Sequence, residues 1–156
     1  IGRLADTSFM ARKIGEDKRL VCASPAYLAR HGTPRRPEDL ARHNCLVARD
    51  RTHLNRWPFR VDGKLVEVEV RGRVAVTEGE TQMQLALQGV GIVRVTRLTL
   101  AQAIREGRLV PLLQEFSAEE PVAIHAVYPH RRHLAPKVPA FVNFLIEKFT
   151  PPPWEI

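Results

Sequence analysis

The stretch EDKRLVCASPAYLARHGTP, Glu16 to Pro34, decides the fold. Lys18 to Ser24 (KRLVCAS) reads as a short apolar strand entered from charged residues. Ser24 suits a helix N-cap, and Pro25 is tolerated in a first turn, where no backbone N–H is needed. PAYLARH then forms a short helix, and Gly32 suits its C-terminal end. A strand that runs straight into a helix is either a crossing between two lobes or one more sheet element. The rest of the chain separates the two readings.

Downstream, Arg36 to His43 reads as another short helix with Pro37 at its start, and Asn44 to Ala48 as a strand. Trp57 to Val76 is the clearest hairpin. Asp62-Gly63 is its turn signal. The arm beyond the turn sets Leu65, Val66, Val68 and Val70 against Glu67, Glu69 and Arg71, one face in and one face out. Thr77 to Glu80 is a polar junction, and Thr81 to Gln88 a helix stopped by Gly89. GVGIVRV returns as a strand, LTLAQAIREG as a helix ended by Gly107, and RLVPLL as a short strand. Val122 to Tyr128 reads as a buried strand. Val138 to Phe149 is a helix carrying Phe141, Phe144, Leu145 and Phe149 on one side. The PPPW tail is expected to be irregular. Alternating strands and helices argue for α/β layers. Leu20–Ala23 and Val122–Tyr128 bracket an α/β unit of about one hundred residues, a reasonable lobe size. Two strands entering and leaving one lobe resemble a hinge.

The chain has 156 residues, enough for one domain or two small lobes. It is 44% hydrophobic and 26% charged, so it buries a core. No run approaches the ~18 apolar residues of a membrane helix. The opening IGRLADTSFMARKIGE lacks the apolar region and cleavage site of a signal peptide. A chain opening on Ile1 rather than Met leads us to expect further sequence upstream. Net charge is +7, with 19 arginines and 5 lysines. The arginines are scattered among acids, with no basic helix face carrying interleaved aromatics. That disfavours direct nucleic-acid binding and leaves attraction for a small anion. Cys22 and Cys45 sit in apolar stretches without a CxxC spacing, which reads as buried free thiols in a reducing cytoplasm, with a Cys22–Cys45 pairing as the alternative.

No catalytic set assembles. Ser8, Ser24 and Ser117 lack a Gly-x-Ser-x-Gly elbow. Gly89-Val90-Gly91 lacks the third glycine of a dinucleotide loop and reads as a helix stop. His130 and His133 flank Arg131 and Arg132, which repel a metal. His125 reads as a satisfied core residue. No enzyme activity, cofactor or metal is expected.

GRLADTSFMARKIG, VCASPAYLARHGTPRRPEDLARHNCL, the WPF strand, TEGETQMQLALQGVGIVRV, AIREGRLVPLL and AVYPHRRHLAPKVPAFVNFLIEKF run in one order over nearly the whole chain. Together they resemble the C-terminal effector-binding domain of LysR-type transcriptional regulators. The resemblance implies the type 2 periplasmic-binding-protein fold: two α/β lobes, two crossing strands, and an effector cleft between. On it, residues 1–21 are a remnant of lobe one with a crossing strand, and 22–123 are lobe two. Residues 124–150 are the return strand with the lobe-one C-terminal helix, and 151–156 a tail. The family's winged helix-turn-helix, its linker helix and the first half of lobe one have no counterpart here. The chain is thus expected to be a fragment that self-associates, as a dimer, through an exposed edge or the Phe-rich helix.

The resemblance also implies a site. Thr77, Glu78 and Gly79 fall on the family's second-lobe pocket wall, where a strand ends and a helix begins. Thr77 or Gly79 can equally serve only to cap that helix, and Glu78 and Glu80 argue against an anion. Arg3, Leu4 and Asp6 match the segment beside the first-lobe wall. Arg3 can pair a carboxylate in bidentate fashion or stand solvated. Ser24 lies near the crossing. Val93 and Thr96 follow the glycine pair, and Thr96 replaces a Pro common nearby in the family, which implies an altered rim. The implied partner is a small-molecule effector, a small organic acid, with DNA reached only through the N-terminal domain. The competing readings are a transporter solute-binding protein and a two-lobed enzyme.

Overall fold

The computed structural model describes residues 9–118, 120–129 and 135–155. In chain order the elements are β1 (Phe9–Ala23), α1 (Pro25–His31), a 3-10 turn (Pro37–Arg42), β2 (Val47–Ala48) and a second 3-10 turn (Thr52–Asn55). There follow β3 (Arg56–Val61), β4 (Lys64–Glu69), β5 (Ala75–Val76), α2 (Gly79–Leu87), β6 (Val93–Thr96) and α3 (Arg97–Arg105). The last are β7 (Val110–Leu112), a 3-10 turn (Gln114–Phe116), β8 (Pro121–Pro129) and α4 (Lys137–Lys148).

β1 organises the molecule. It begins at Phe9, well before the Lys18 expected from the sequence. Residues 9–13 are exposed and show no inward face, so their strand state is set by backbone pairing rather than by burial. From Phe9↔Pro129 to Lys18↔Pro121 they run antiparallel to β8, with a bulge between Lys13 and Gly15. Beyond Lys18 the same strand changes partners. Arg19–Cys22 pair with β6 and Val21–Ala23 with β7, both antiparallel. β2 and β5 form a short parallel pair, and β3–β4 the expected hairpin, turning through Asp62 and Gly63, both at positive φ.

Local signals around the opening stretch behave as expected. Ser24 Oγ accepts the Tyr27 amide at 3.3 Å and caps α1. Tyr27 is buried and joins Trp57, Phe59 and Ile92 in one core cluster. Leu20, Cys22, Val93 and Leu100 lie in a second cluster, and Ile14, Ile124, Val142 and Trp154 in a third. Each large apolar side chain in these clusters contributes about 1.5–3 kcal/mol by burial. Cys22 and Cys45 are free and buried, and burial pushes both thiols up to about 12, so neither is a ready thiolate at neutral pH.

Several elements depart from expectation. Pro37–Arg42 is 3-10 rather than α, drawn tight by Asp39 Oδ2, which accepts the amides of Arg35 (2.9 Å) and Arg36 (3.0 Å). In β4 the inward face fails at its distal end. Leu65 is 61% exposed and only Val68 and the following Val70 reach the core, because the hairpin extends beyond it. β8 is half-buried: Val122 and Ile124 are covered, but Val127 is in solvent. The expected apolar side of α4 splits: Leu145 and Phe149 pack inward, whereas Phe141 and Phe144 do not. Val142 is buried with Leu145, Ile146 and Phe149 against Ile14 and Trp154, while Phe141 (59% exposed) and Phe144 stack on each other outside. The tail is irregular but anchored. Trp154 is buried edge-on to Phe149, and Arg105 Nη2 donates to the carbonyls of Pro153 (2.8 Å) and Glu155 (3.1 Å). His125 is not a satisfied core residue among the described residues, since its buried Nδ1 has no hydrogen-bond partner. Among the described residues no helix is long and apolar enough to cross a membrane.

Candidate functional site

The change of partners along β1 creates a cavity. Arg19 lies opposite Thr96, and Val21 opposite Arg94, so Arg19 and Arg94 stand one diagonal step apart on adjacent strands. Both side chains line a cavity of about 360 Å³. Its other walls are the loop from Leu46 to Trp57, the β5–α2 junction from Thr77 to Gln82, and Thr99 at the start of α3. The floor is apolar: Leu46, Trp57 and Val95 are buried there.

The electrostatics of the cavity are set by arginine. Burial pulls the Arg19 guanidinium below its usual range, with Glu120 opposing and Arg51 reinforcing that shift. Arg94, whose side chain is 7% exposed, is likewise lowered chiefly by burial; its hydrogen bond to Glu120 opposes this and the charge of Arg19 adds to it. A guanidinium stays protonated at neutral pH regardless. Arg94 Nη2 donates to Glu120 Oε2 at 3.0 Å. Two sheltered cations and the exposed Arg51 therefore line one cavity, and of the three only Arg94 is bonded to a carboxylate, Glu120, which stands outside the cavity wall. Glu78 and Glu80, which argued against an anion, are exposed at the rim, where water screens them.

The expected site residues divide sharply. Thr77, Glu78, Gly79 and Thr96 all line this cavity. Neither Thr77 nor Gly79 caps α2. Glu78 holds the N-cap position without a side-chain cap bond, and the Thr77 hydroxyl donates to Asp50 Oδ2 at 3.2 Å. Thr96 Oγ1 is paired with Thr99 Oγ1 at 3.0 Å. Ser24 and Val93 do not line the cavity: Ser24 is buried as the cap of α1, and Val93 is core, with its neighbour Val95 on the wall instead. Arg3, Leu4 and Asp6 lie outside the described residues, as do His130 and His133. Arg19, Arg51, Arg94 and Gln82 were not anticipated. A signal existed for two of them. Arg94 interrupts the apolar run IVRV, and Arg19 precedes LVCA, and a cation inside a buried strand calls for a partner. Among the described residues no cluster of His, Cys, Asp and Glu could hold a metal ion.

This architecture has relatives. The family model described as LysR substrate binding domain matches residues 1–150. The transcriptional regulator CrgA of Neisseria meningitidis serogroup B is 33% identical over 147 residues, which is 94% of this chain and 49% of that protein. The solved CrgA regulatory domain superposes with a TM-score of 0.86 at 33% identity, covering 94% of this chain and 72% of that one. The full-length virulence activator AphB of Vibrio cholerae superposes with a TM-score of 0.76 at 31% identity, covering 92% and 49%. The chain spans about half the length of the curated relatives it matches. Those relatives are transcriptional regulators, not solute-binding proteins of transporters, and the fold is the type 2 periplasmic-binding-protein α/β fold. The chain belongs to the LysR substrate-binding domain family.

Proposed function

We propose that the chain is the effector-sensing part of a DNA-binding transcriptional regulator in the cytoplasm, and that its effector is a small organic acid. The observation that supports the acid is the convergence of Arg19, Arg94 and Arg51 on one cavity, where only Arg94 is bonded to a carboxylate, Glu120. Planar guanidinium groups match a carboxylate in bidentate geometry, and shelter from water strengthens the pair. The helix α2 starts at the same wall, and its uncapped N-terminal turn favours negative charge. No bond chemistry is assigned. A ligand that fits one arrangement of the strands around β1 better than another shifts their populations. In the intact regulator, that shift reorients DNA-binding heads carried outside this chain.

Arg94→Met keeps the side-chain volume and removes the charge. Calorimetric titration with a panel of small mono- and dicarboxylic acids is expected to find binding to the wild-type chain, weakened about tenfold to a hundredfold by Arg94→Met. No binding to the wild type, or equal binding to both, would sink the anionic-effector reading. Regulation itself fails if no small molecule changes the affinity of the full-length protein for its DNA.

Self-association belongs to the same reading. Phe9 and Met10 of β1, Val127 of β8, and the stacked Phe141 and Phe144 are all exposed. Apolar side chains in such number favour burial against a second copy. Size-exclusion with light scattering is expected to give a dimer of this chain, and a clean monomer counts against it.

A further inference from the structure

Gln82 lies in the first turns of α2 and lines the cavity, yet it is only 6% exposed. Its main-chain amide is used by the helix, donating to the Glu78 carbonyl at 3.1 Å. Its side-chain amide has no hydrogen-bond partner among the described residues. This separates it from every other neutral polar side chain on the wall. Asn55 is fully engaged, with Nδ2 donating to the Ala48 carbonyl (3.0 Å) and Oδ1 accepting the Ala48 amide (2.7 Å). Thr77 is bonded to Asp50, and Thr96 and Thr99 to each other. Those four side chains build the wall. Neither amide atom is among the buried unpaired atoms of the described residues, so the carboxamide meets the solvent of the cavity with both donor and acceptor open, and it has no packing advantage over methionine.

We propose that Gln82 is a specificity-determining residue that reads a neutral hydrogen-bonding group, a hydroxyl, carried by the effector beside its carboxylate. The inference rests on the anion-site reading above. The arginines supply only donors, and so recognise charge without asking what else the molecule carries. The carboxamide offers both an acceptor and donors. A hydroxyl can satisfy both at once, donating to Oε1 and accepting from Nε2, whereas a methylene in the same place leaves the amide unpaired. Discrimination of this kind exceeds what an apolar wall achieves for a change of similar size. The ligand class is therefore a hydroxy acid rather than a simple fatty or dicarboxylic acid.

The test compares glutarate with 2-hydroxyglutarate by calorimetry on the 156-residue chain, wild type and Gln82→Met, with the melting temperature of each ligand-free protein measured alongside. Methionine matches the length and helix preference of glutamine. The wild type is expected to bind the hydroxy acid at least about tenfold tighter than glutarate. Gln82→Met is expected to bind both with the affinity the wild type shows for glutarate, and to melt no lower than the wild type. Equal binding of both acids to the wild type would overturn the role of Gln82 while leaving the anion site standing. A melting temperature lowered by Gln82→Met would also overturn it, because the amide would then be serving the fold. Binding of neither acid to the wild type would remove the anion site and this inference together.

Discussion

Gly72→Ala is expected to abolish a stable native state. Residue 72 follows the hairpin, where the chain runs directly against the segment Asn44–Cys45. An added Cβ there would overlap the Cys45 carbonyl oxygen, a backbone atom that no side-chain rotation can move aside. The backbone itself is pinned on several sides. The Cys45 amide donates to the Arg71 carbonyl (3.1 Å), and the Arg73 amide to Asn44 Oδ1 (2.8 Å). On the opposite flank, Ile92 donates to the Asn44 carbonyl (2.9 Å) and Leu46 to the Ile92 carbonyl (2.8 Å). Asn44 is further fixed by Tyr27 Oη, which accepts its amide at 3.0 Å, and by its own Nδ2, which donates to the Val90 carbonyl at 2.7 Å. Relief of the overlap would break at least some of these bonds at the edge of the cluster that holds Tyr27, Cys45 and Trp57. The cost is expected above about 4 kcal/mol, in the range reserved for the most damaging substitutions and a large share of a domain's total stability. Gly63→Ala is the control. Gly63 has a positive φ but open space around it, so its cost is confined to backbone strain, on the order of 1 kcal/mol. Urea unfolding followed by circular dichroism distinguishes the two. A Gly72→Ala chain that melts like Gly63→Ala would refute the argument from close approach.

Gly72 also marks a limit of what the sequence discloses. Features whose cause lies within a few residues were legible: the Ser24–Pro25 start of α1, the Asp62–Gly63 turn, and the strand-to-helix junction at Thr77–Gly79, which does border the cavity. Features whose cause lies across the fold were not. Residues 9–13 carry no strand pattern, because their pairing with β8 requires no buried face. Arg19 and Arg94 are 75 positions apart, and only the register of β1 against β6 brings them together. In α4 two apolar stripes compete. Leu145 and Phe149 fit helical spacing both with Val142 and Ile146 and with Phe141 and Phe144, and residue size gave no guide to which pair faces Trp154. Glycines needed for close approach rather than for turn geometry, such as Gly72, look like any other glycine until the neighbouring backbone is in place.

Asp17→Ala is expected to lower stability by about 3–5 kcal/mol, the cost of orphaning one member of a buried ion pair. Asp17 stands at the residue where β1 leaves β8 and turns to β6, opposite Val122 and two positions before Arg19. Its side chain is fully buried. Oδ1 accepts the Lys18 amide and Oδ2 the Leu98 amide, both at 2.8 Å. The second bond does work that α3 cannot do for itself: Thr96 holds the N-cap position without a side-chain cap bond, so a residue distant in sequence takes one of the unpaired first-turn amides. The same carboxylate faces Arg97, whose Nε lies 3.4 Å from Oδ1. That Nε is not aligned for a hydrogen bond, so the contact is one of charge rather than of directed donation. The only other carboxylate near Arg97 among the described residues is Glu155, 3.9 Å away on the exposed tail. Alanine would leave a sheltered guanidinium with that distant partner and an open helix end. Asp17→Asn retains an acceptor for Leu98 but not the charge, and its cost is expected to be about half. For a chain of this size each kcal/mol moves the melting temperature by about 2–4 °C, so the two variants separate clearly in a thermal scan. If asparagine costs as much as alanine, the charge of Asp17 rather than its cap carries the stability. If both variants melt within a degree or two of the wild type, the junction of β1, β8 and α3 is held by packing alone. Because Asp17 also adds a negative potential at Arg19, the alanine variant is expected to bind acidic ligands no more weakly than the wild type at temperatures where it remains folded. A loss of both stability and anion affinity would instead mean that the position of Arg19 depends on the junction Asp17 holds.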